Sequence, residues 1–180
     1  MIRWLRALAL GSALILLGAC AERGANTKGV YMLIDTSGTY TKELEKAQHI
    51  INYVLSQLNP GDSFAVARID TSSFTEKNIV AKVAFSDQPS RDTVDNFVKT
   101  ARSSAYTDIT GGLLQAIEYL NEAGTGRKII LIFSDMQEEL KKGYVRDLPL
   151  QLDGFEVIAL NVTKLRTDNI DPREYLNRLA

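Results

Sequence analysis

Two apolar runs in this 180-residue chain end in an acidic residue, and hydroxyls follow the first. Gly29 to Ile34 leads into Asp35-Thr36-Ser37-Gly38-Thr39, and Lys128 to Phe133 leads into Ser134-Asp135. A third polar stretch, Ala105-Tyr106-Thr107-Asp108-Ile109-Thr110-Gly111-Gly112, precedes a strongly amphipathic segment. Carboxylates and hydroxyls are hard oxygen donors. On three loops at one edge of a sheet they describe a divalent-cation site. Magnesium takes six oxygens and usually keeps several waters among them. Such donors suit magnesium or manganese, whereas zinc or copper would need sulfur or imidazole.

The elements that must hold these loops can be read from periodicity. A continuous apolar run such as Gly29 to Ile34 suits a strand buried on both faces. Residues 41 to 58 then carry Leu44, Ala47, Ile51, Val54, Leu55 and Leu58 at helical spacing. Asn59-Pro60-Gly61-Asp62 stops that helix. Ser63 to Ile69 and Val80 to Phe85 read as strands joined by a short polar stretch, a hairpin that makes the second antiparallel to the first. Pro89 to Ala101 reads as a helix with Val94, Phe97 and Val98 inward. Thr110 to Ala123 is a stronger one, with Leu113, Leu114, Ile117 and Leu120 on one side. Lys128 to Phe133 should be a central strand and Phe155 to Val162 another buried one. Gln137 to Arg146 fits helix or loop equally, and Asp171 to Leu179 suits a terminal helix. Strands alternating with helices imply an α/β fold. We expect a doubly wound, mostly parallel central sheet, with one antiparallel edge strand and helices on both faces. In open sheets of this kind ligands sit beyond the carboxyl ends of the strands. Asp35 and Asp135 fall there.

With the loops so placed, the chain from about residue 28 onward resembles a von Willebrand factor A domain. Its acidic and hydroxyl residues resemble that family's metal-ion-dependent adhesion site. The family pattern is Asp-x-Ser-x-Ser after the first strand, a threonine in a second loop and an aspartate after the fourth strand. The resemblance assigns Asp35, Ser37 and Thr39 to the first loop, Thr107 to the second and Asp135 to the third, with Asp108 a weaker candidate near the metal. Thr39 departs from the second serine but keeps the hydroxyl. The similarity covers roughly residues 28 to 163. It implies a bound magnesium or manganese ion with one position open. A partner protein's Asp or Glu carboxylate would fill that position, so the resemblance implies a binding module and not an enzyme.

Each residue also has a plain structural reading. Asp35 to Thr39 can cap a helix, because such side chains satisfy its free N–H groups. Thr107 and Asp108 can cap the helix that follows them, and Asp135 can be a turn residue. Asp70-Thr71-Ser72 repeats Asp-x-Ser, but Phe74 stands where a third hydroxyl would be, so it reads as a polar turn. His49 lies opposite the apolar face of its helix and reads as a surface residue. Glu138-Glu139 and Lys141-Lys142 read as a solvated face that follows Asp135 closely enough to rim a docking site.

Two other function classes compete. One is a metal-dependent hydrolase or phosphotransferase using Asp35. An enzyme resembling the haloacid dehalogenases would carry a second carboxylate two residues later as general acid, and that position is Ser37. No Walker loop or Gly-x-Gly-x-x-Gly follows the first strand, and one surface histidine supports no Ser–His–Asp set. The other is a metal-free scaffold that keeps the fold and uses another face.

The start of the chain speaks to location. Arg3 and Arg6 precede an apolar run from Ala7 to Leu17, which closes in Leu17-Gly18-Ala19-Cys20. This is the layout of a secretory signal, with an apolar run short for a membrane span. The last four residues resemble the bacterial lipobox. That resemblance implies cleavage before Cys20, diacylation of its thiol and acylation of the new amino terminus. Several chains matter, because each buried methylene adds about 0.8 kcal/mol and one chain alone binds reversibly. Ala21 in place of aspartate points to the outer membrane of the bacterial envelope. The expected organisation is a signal peptide at 1–19, a lipidated cysteine and tether at 20–28, and one domain at 29–180. The tether would reach about 25 Å when extended.

Composition closes the bounds. Apolar residues make up 45% and charged residues 24%, an ordinary globular balance. Without Arg3 and Arg6 the formal charge moves from −1 to −3, so no basic footprint for nucleic acid is present. The single cysteine excludes an intrachain disulfide, and a domain of this length can bury enough core without one.

Overall fold

The computed structural model describes residues 26–37, 43–69, 79–84, 105–140 and 149–162. Elements follow one another as β1 (Lys28–Asp35), α1 (Leu44–Ser56), β2 (Ser63–Ile69), β3 (Ile79–Ala84), α2 (Ile109–Glu122), β4 (Arg127–Phe133) and β5 (Phe155–Leu160). The five strands form one sheet in the order β3-β2-β1-β4-β5. β1 pairs in parallel with β2 and with β4, β4 pairs in parallel with β5, and β3 runs antiparallel to β2. The expected hairpin and antiparallel edge are therefore present. The expected helices over 89–101 and 171–179, the Asp70-Thr71-Ser72 turn, Lys141-Lys142 and the leader lie outside the described residues.

β1 is the spine, and its alternation sorts the core into two layers. Val30, Met32 and Ile34 face α1, where they meet Leu44, Ala47, Ile51 and Leu55 together with Phe64, Val66 and Phe133. Tyr31 and Leu33 face α2, where they meet Ile109, Leu113, Ala116 and Leu120 with Ala65, Ile69 and Ile132. Period-two alternation on a strand and period-3.6 stripes on two helices produce this division. Burying each such Leu, Ile, Val or Phe contributes about 1.5–3 kcal/mol against exposure.

α1 buries the stripe its spacing predicts, with Val54 and Leu58 half-buried at its margin. Past its end, the Asp62 carboxylate accepts the backbone N–H of Asn59 at 2.8 Å and of Lys28 at 2.7 Å. That fixes the turn and the start of β1 together. α2 departs from expectation. Its contact face is rotated toward small residues, with Gly112 and Ala116 buried and Leu114 and Ile117 only half-buried. A Cβ at Gly112 would come within 3.0 Å of Leu33 Cδ2. The missing side chain lets the first turn of α2 seat closely on β1, and this closeness sets the rotation.

β5 corrects a second expectation. It spans Phe155–Leu160 rather than 155–162, and it is not a buried strand: Glu156 to Ala159 are exposed, with Val157 at 38% and Ile158 at 37%. Among the described residues it is the outermost strand, paired with β4 alone. Neighbouring strand residues point to opposite faces, so both faces of β5 meet solvent. Among the described residues no helix is long and apolar enough to cross a membrane.

Candidate metal centre

β1 delivers Asp35 to the carboxyl edge of the sheet, directly between the ends of β2 and β4. The residue is 1% exposed. Its Oδ1 accepts the Ser37 backbone N–H at 2.7 Å, and its Oδ2 accepts the Ser134 hydroxyl at 2.9 Å. Both donors are neutral. Among the described residues no ion pair involves Asp35. A buried carboxylate without a cation is costly unless its charge is otherwise balanced. The donor arrangement thus fits a cation at this edge: two hydrogen bonds orient the carboxylate, and lone pairs remain on both oxygens.

Asp35 and Ser37 do not cap α1. α1 begins at Leu44 with Glu43 as its N-cap, well past Asp35 and Ser37. Thr36, between them, is also 1% exposed, and its buried hydroxyl meets no partner among the described residues.

β4 brings Ser134 and Asp135 to the same edge beside β1. Ser134 is fully buried, donates to Asp35 and also accepts the Met136 N–H at 3.1 Å. Asp135 is half-buried, and its Oδ1 accepts the Gln137 N–H at 2.9 Å. Its turn role uses one carboxylate oxygen, Oδ1. The chain turns sharply here. Met136 has φ of 63° and Asn161, just past β5, has φ of 60°. Left-handed conformations are uncommon for residues other than glycine, and such strain tends to gather at functional edges.

The second loop approaches through backbone pairing. Thr107 is 1% exposed and forms an isolated antiparallel bridge with Glu139. Thr107 N–H donates to Glu139 O at 2.9 Å, and Glu139 N–H donates to Thr107 O at 2.9 Å. This leaves the Thr107 hydroxyl outside any hydrogen bond among the described residues. Asp108 is fully buried and caps α2, its Oδ1 accepting the Gly111 N–H at 2.8 Å. The capping reading accounts for that contact, so Asp108 serves the helix that carries the loop.

Asp35, Ser37 and Asp135 are thus gathered at one edge, and Thr107 is tied to the loop that Asp135 begins. Thr39 and Cys20 lie outside the described residues. Among those residues, no three His, Cys, Asp or Glu side chains cluster into an all-anionic cage. A site here would combine few carboxylates with hydroxyls, which leaves a bound cation electrophilic. His49 is exposed, as its helical position predicts. The sequence marks Glu138 as part of a solvated face that could rim the site, but not as a tie to α2, and it does not single out Ser134, a serine directly before the strand-end aspartate.

The family model for the von Willebrand factor type A domain matches residues 29–180. No curated protein matches the chain. Three of the solved structures similar to it follow. The pilus adhesin SpaC from Lactobacillus rhamnosus GG, in an open conformation, shares 16% identity over 61% of this chain and 14% of its own, with a TM-score of 0.47. Proximal thread matrix protein 1 from the mussel byssus shares 14% over 74% of this chain and 37% of its own, with a TM-score of 0.49. The three N-terminal domains of the type V pili tip protein Mfa5 from Porphyromonas gingivalis share 20% over 66% and 22%, with a TM-score of 0.47. The chain therefore spans well under half the length of each of these proteins.

Proposed function

Because the chain belongs to the von Willebrand factor type A domain family, we propose that it is a divalent-metal-dependent protein-binding module, used for adhesion or assembly, and not an enzyme. Asp35, Ser37, Thr39, Thr107 and Asp135 would hold magnesium or manganese at the carboxyl edge of the sheet. The bound ion supplies a Lewis-acidic position that accepts an Asp or Glu carboxylate from a partner protein. The domain's own residues do the rest. Asp35 balances the charge from a buried site. Ser134 and the Ser37 N–H fix its orientation, and the Thr107–Glu139 bridge holds the second loop against the third. Cys20, lipidated, would keep the module on the bacterial envelope at the outer membrane.

The observation that carries this reading is Asp35 itself. It is 1% exposed, is met by two neutral donors and has no basic partner among the described residues. The reading is tested by metal-dependent capture. Full-length protein in detergent, immobilised with magnesium, is expected to retain a defined set of envelope proteins, release them in EDTA and retain none as Asp35→Ala. Retention that ignores both EDTA and the substitution would contradict it.

A further inference from the structure

The segment Ser134–Glu139 that follows β4 is tied down at both of its ends. At its start, Ser134 donates its hydroxyl to Asp35 and its N–H to Leu160 O at 3.3 Å. At its far end, Glu139 forms the two-bond bridge with Thr107. Between them, Glu138 reaches across to α2, and its Oε1 accepts the Thr110 N–H at 2.9 Å. Thr110 lies in the first turn of α2, where backbone N–H groups have no partner within the helix. Asp108 takes the Gly111 N–H of the same turn. Two carboxylates therefore close this helix start. One is local; the other comes from 28 residues further along the chain.

We propose that Glu138 is a positioning residue for the metal centre: it locks the Thr107 loop to the Asp135 loop so that their ligands sit in one frame. This rests on the metal-binding reading above. Glu138 is exposed, so burial does not explain where its carboxylate lies. The Thr107–Glu139 bridge stands outside the sheet, with only two backbone hydrogen bonds, and an isolated pair of that kind opens easily. The Glu138–Thr110 bond adds a third tie, charge-assisted and favoured by the positive end of α2. It also joins the bridge to an element that is already packed on β1. Met136 has little freedom to absorb a shift, because its left-handed backbone is held by the Ser134 hydroxyl. If the far tie is removed, the Thr107 and Asp135 loops can move separately while every candidate ligand is still present.

The test uses the full chain in detergent and magnesium alone as probe. Calorimetric affinity is measured for wild type, Glu138→Ala and Glu138→Gln, with amide exchange at Thr107 and Thr110 followed in the metal-free proteins. Groups that orient ligands typically change metal affinity by tenfold or more, and about tenfold weakening is expected for Glu138→Ala. The amide side chain of Glu138→Gln retains an acceptor oxygen but not the charge, so its affinity should fall clearly less than that of Glu138→Ala. The Thr107 and Thr110 amides should exchange fastest in the alanine variant. Equal affinity of Glu138→Ala and wild type would overturn the proposal and leave the metal reading intact. Equal weakening in both variants would overturn it in favour of a charge effect. A wild type that binds no magnesium would overturn both.

Discussion

Asp35 and Tyr31 sit four positions apart on one strand, and both are buried polar groups with opposite needs. Asp35 is met by two donors. The Tyr31 hydroxyl is buried with no partner among the described residues. Its ring packs at 59° against Tyr119, with centroids 5.3 Å apart. Burial, and then the neighbouring Tyr119, push the Tyr31 phenol well above its ordinary value of 10.0. Tyr119 is raised as well, chiefly by burial. The native state thus keeps protons that the unfolded chain gives up near pH 10. Stability from this source is complete below that pH and falls as pH rises through it. An unpaired buried hydroxyl also gives no hydrogen-bond return for its desolvation. Tyr31→Phe should therefore unfold in urea at a midpoint equal to or above wild type at pH 7. It should also lose less stability than wild type between pH 9 and 11. A drop of more than about 1 kcal/mol at pH 7 would mean that the hydroxyl has a bonded role.

At the scale of elements, close approach does the positioning. β1 begins under the end of α2, where a Cβ at Gly29 would fall on Thr125 Oγ1 and lie 2.7 Å from Leu120 Cδ2. Gly29→Ala is expected to cost about 1–3 kcal/mol, the usual range for overpacking. The loss would appear as a lower denaturation midpoint, and an unchanged midpoint would show that the end of α2 yields freely. The same elements show what local sequence could reveal. β1, β2, β4 and α1 were legible because apolar runs and one helical stripe mark them. The strand-end position of Asp35 and Asp135 followed from those runs. The rotation of α2 was not legible, because glycine has no side chain to join a hydrophobic stripe and its contribution is the space it leaves. The exposure of β5 was hidden for another reason. A short apolar strand looks alike in the middle of a sheet and at its edge until its neighbours are known. Ser134 and Glu138 act on partners 99 and 28 residues away. Such pairings depend on strand order, which no local window contains.

Across the whole molecule, one sheet edge collects what the chain has placed far apart. The ends of β1 and β4 meet there through the Ser134–Asp35 bond, and the loop before α2 joins them through Thr107 and Glu139. Two core layers pack on either side of β1 and position that edge. In the function proposed above, a lipid anchor at Cys20 would hold that edge among other envelope proteins. The most direct test of this account is calorimetric titration of the full chain in detergent with magnesium and with manganese. Far-UV circular dichroism would confirm that wild type and Asp35→Ala are both folded. The account predicts saturable binding of at least one of these ions by wild type and its loss in Asp35→Ala. A folded wild type that binds neither ion, or an Asp35→Ala variant that binds as well as wild type, would contradict it.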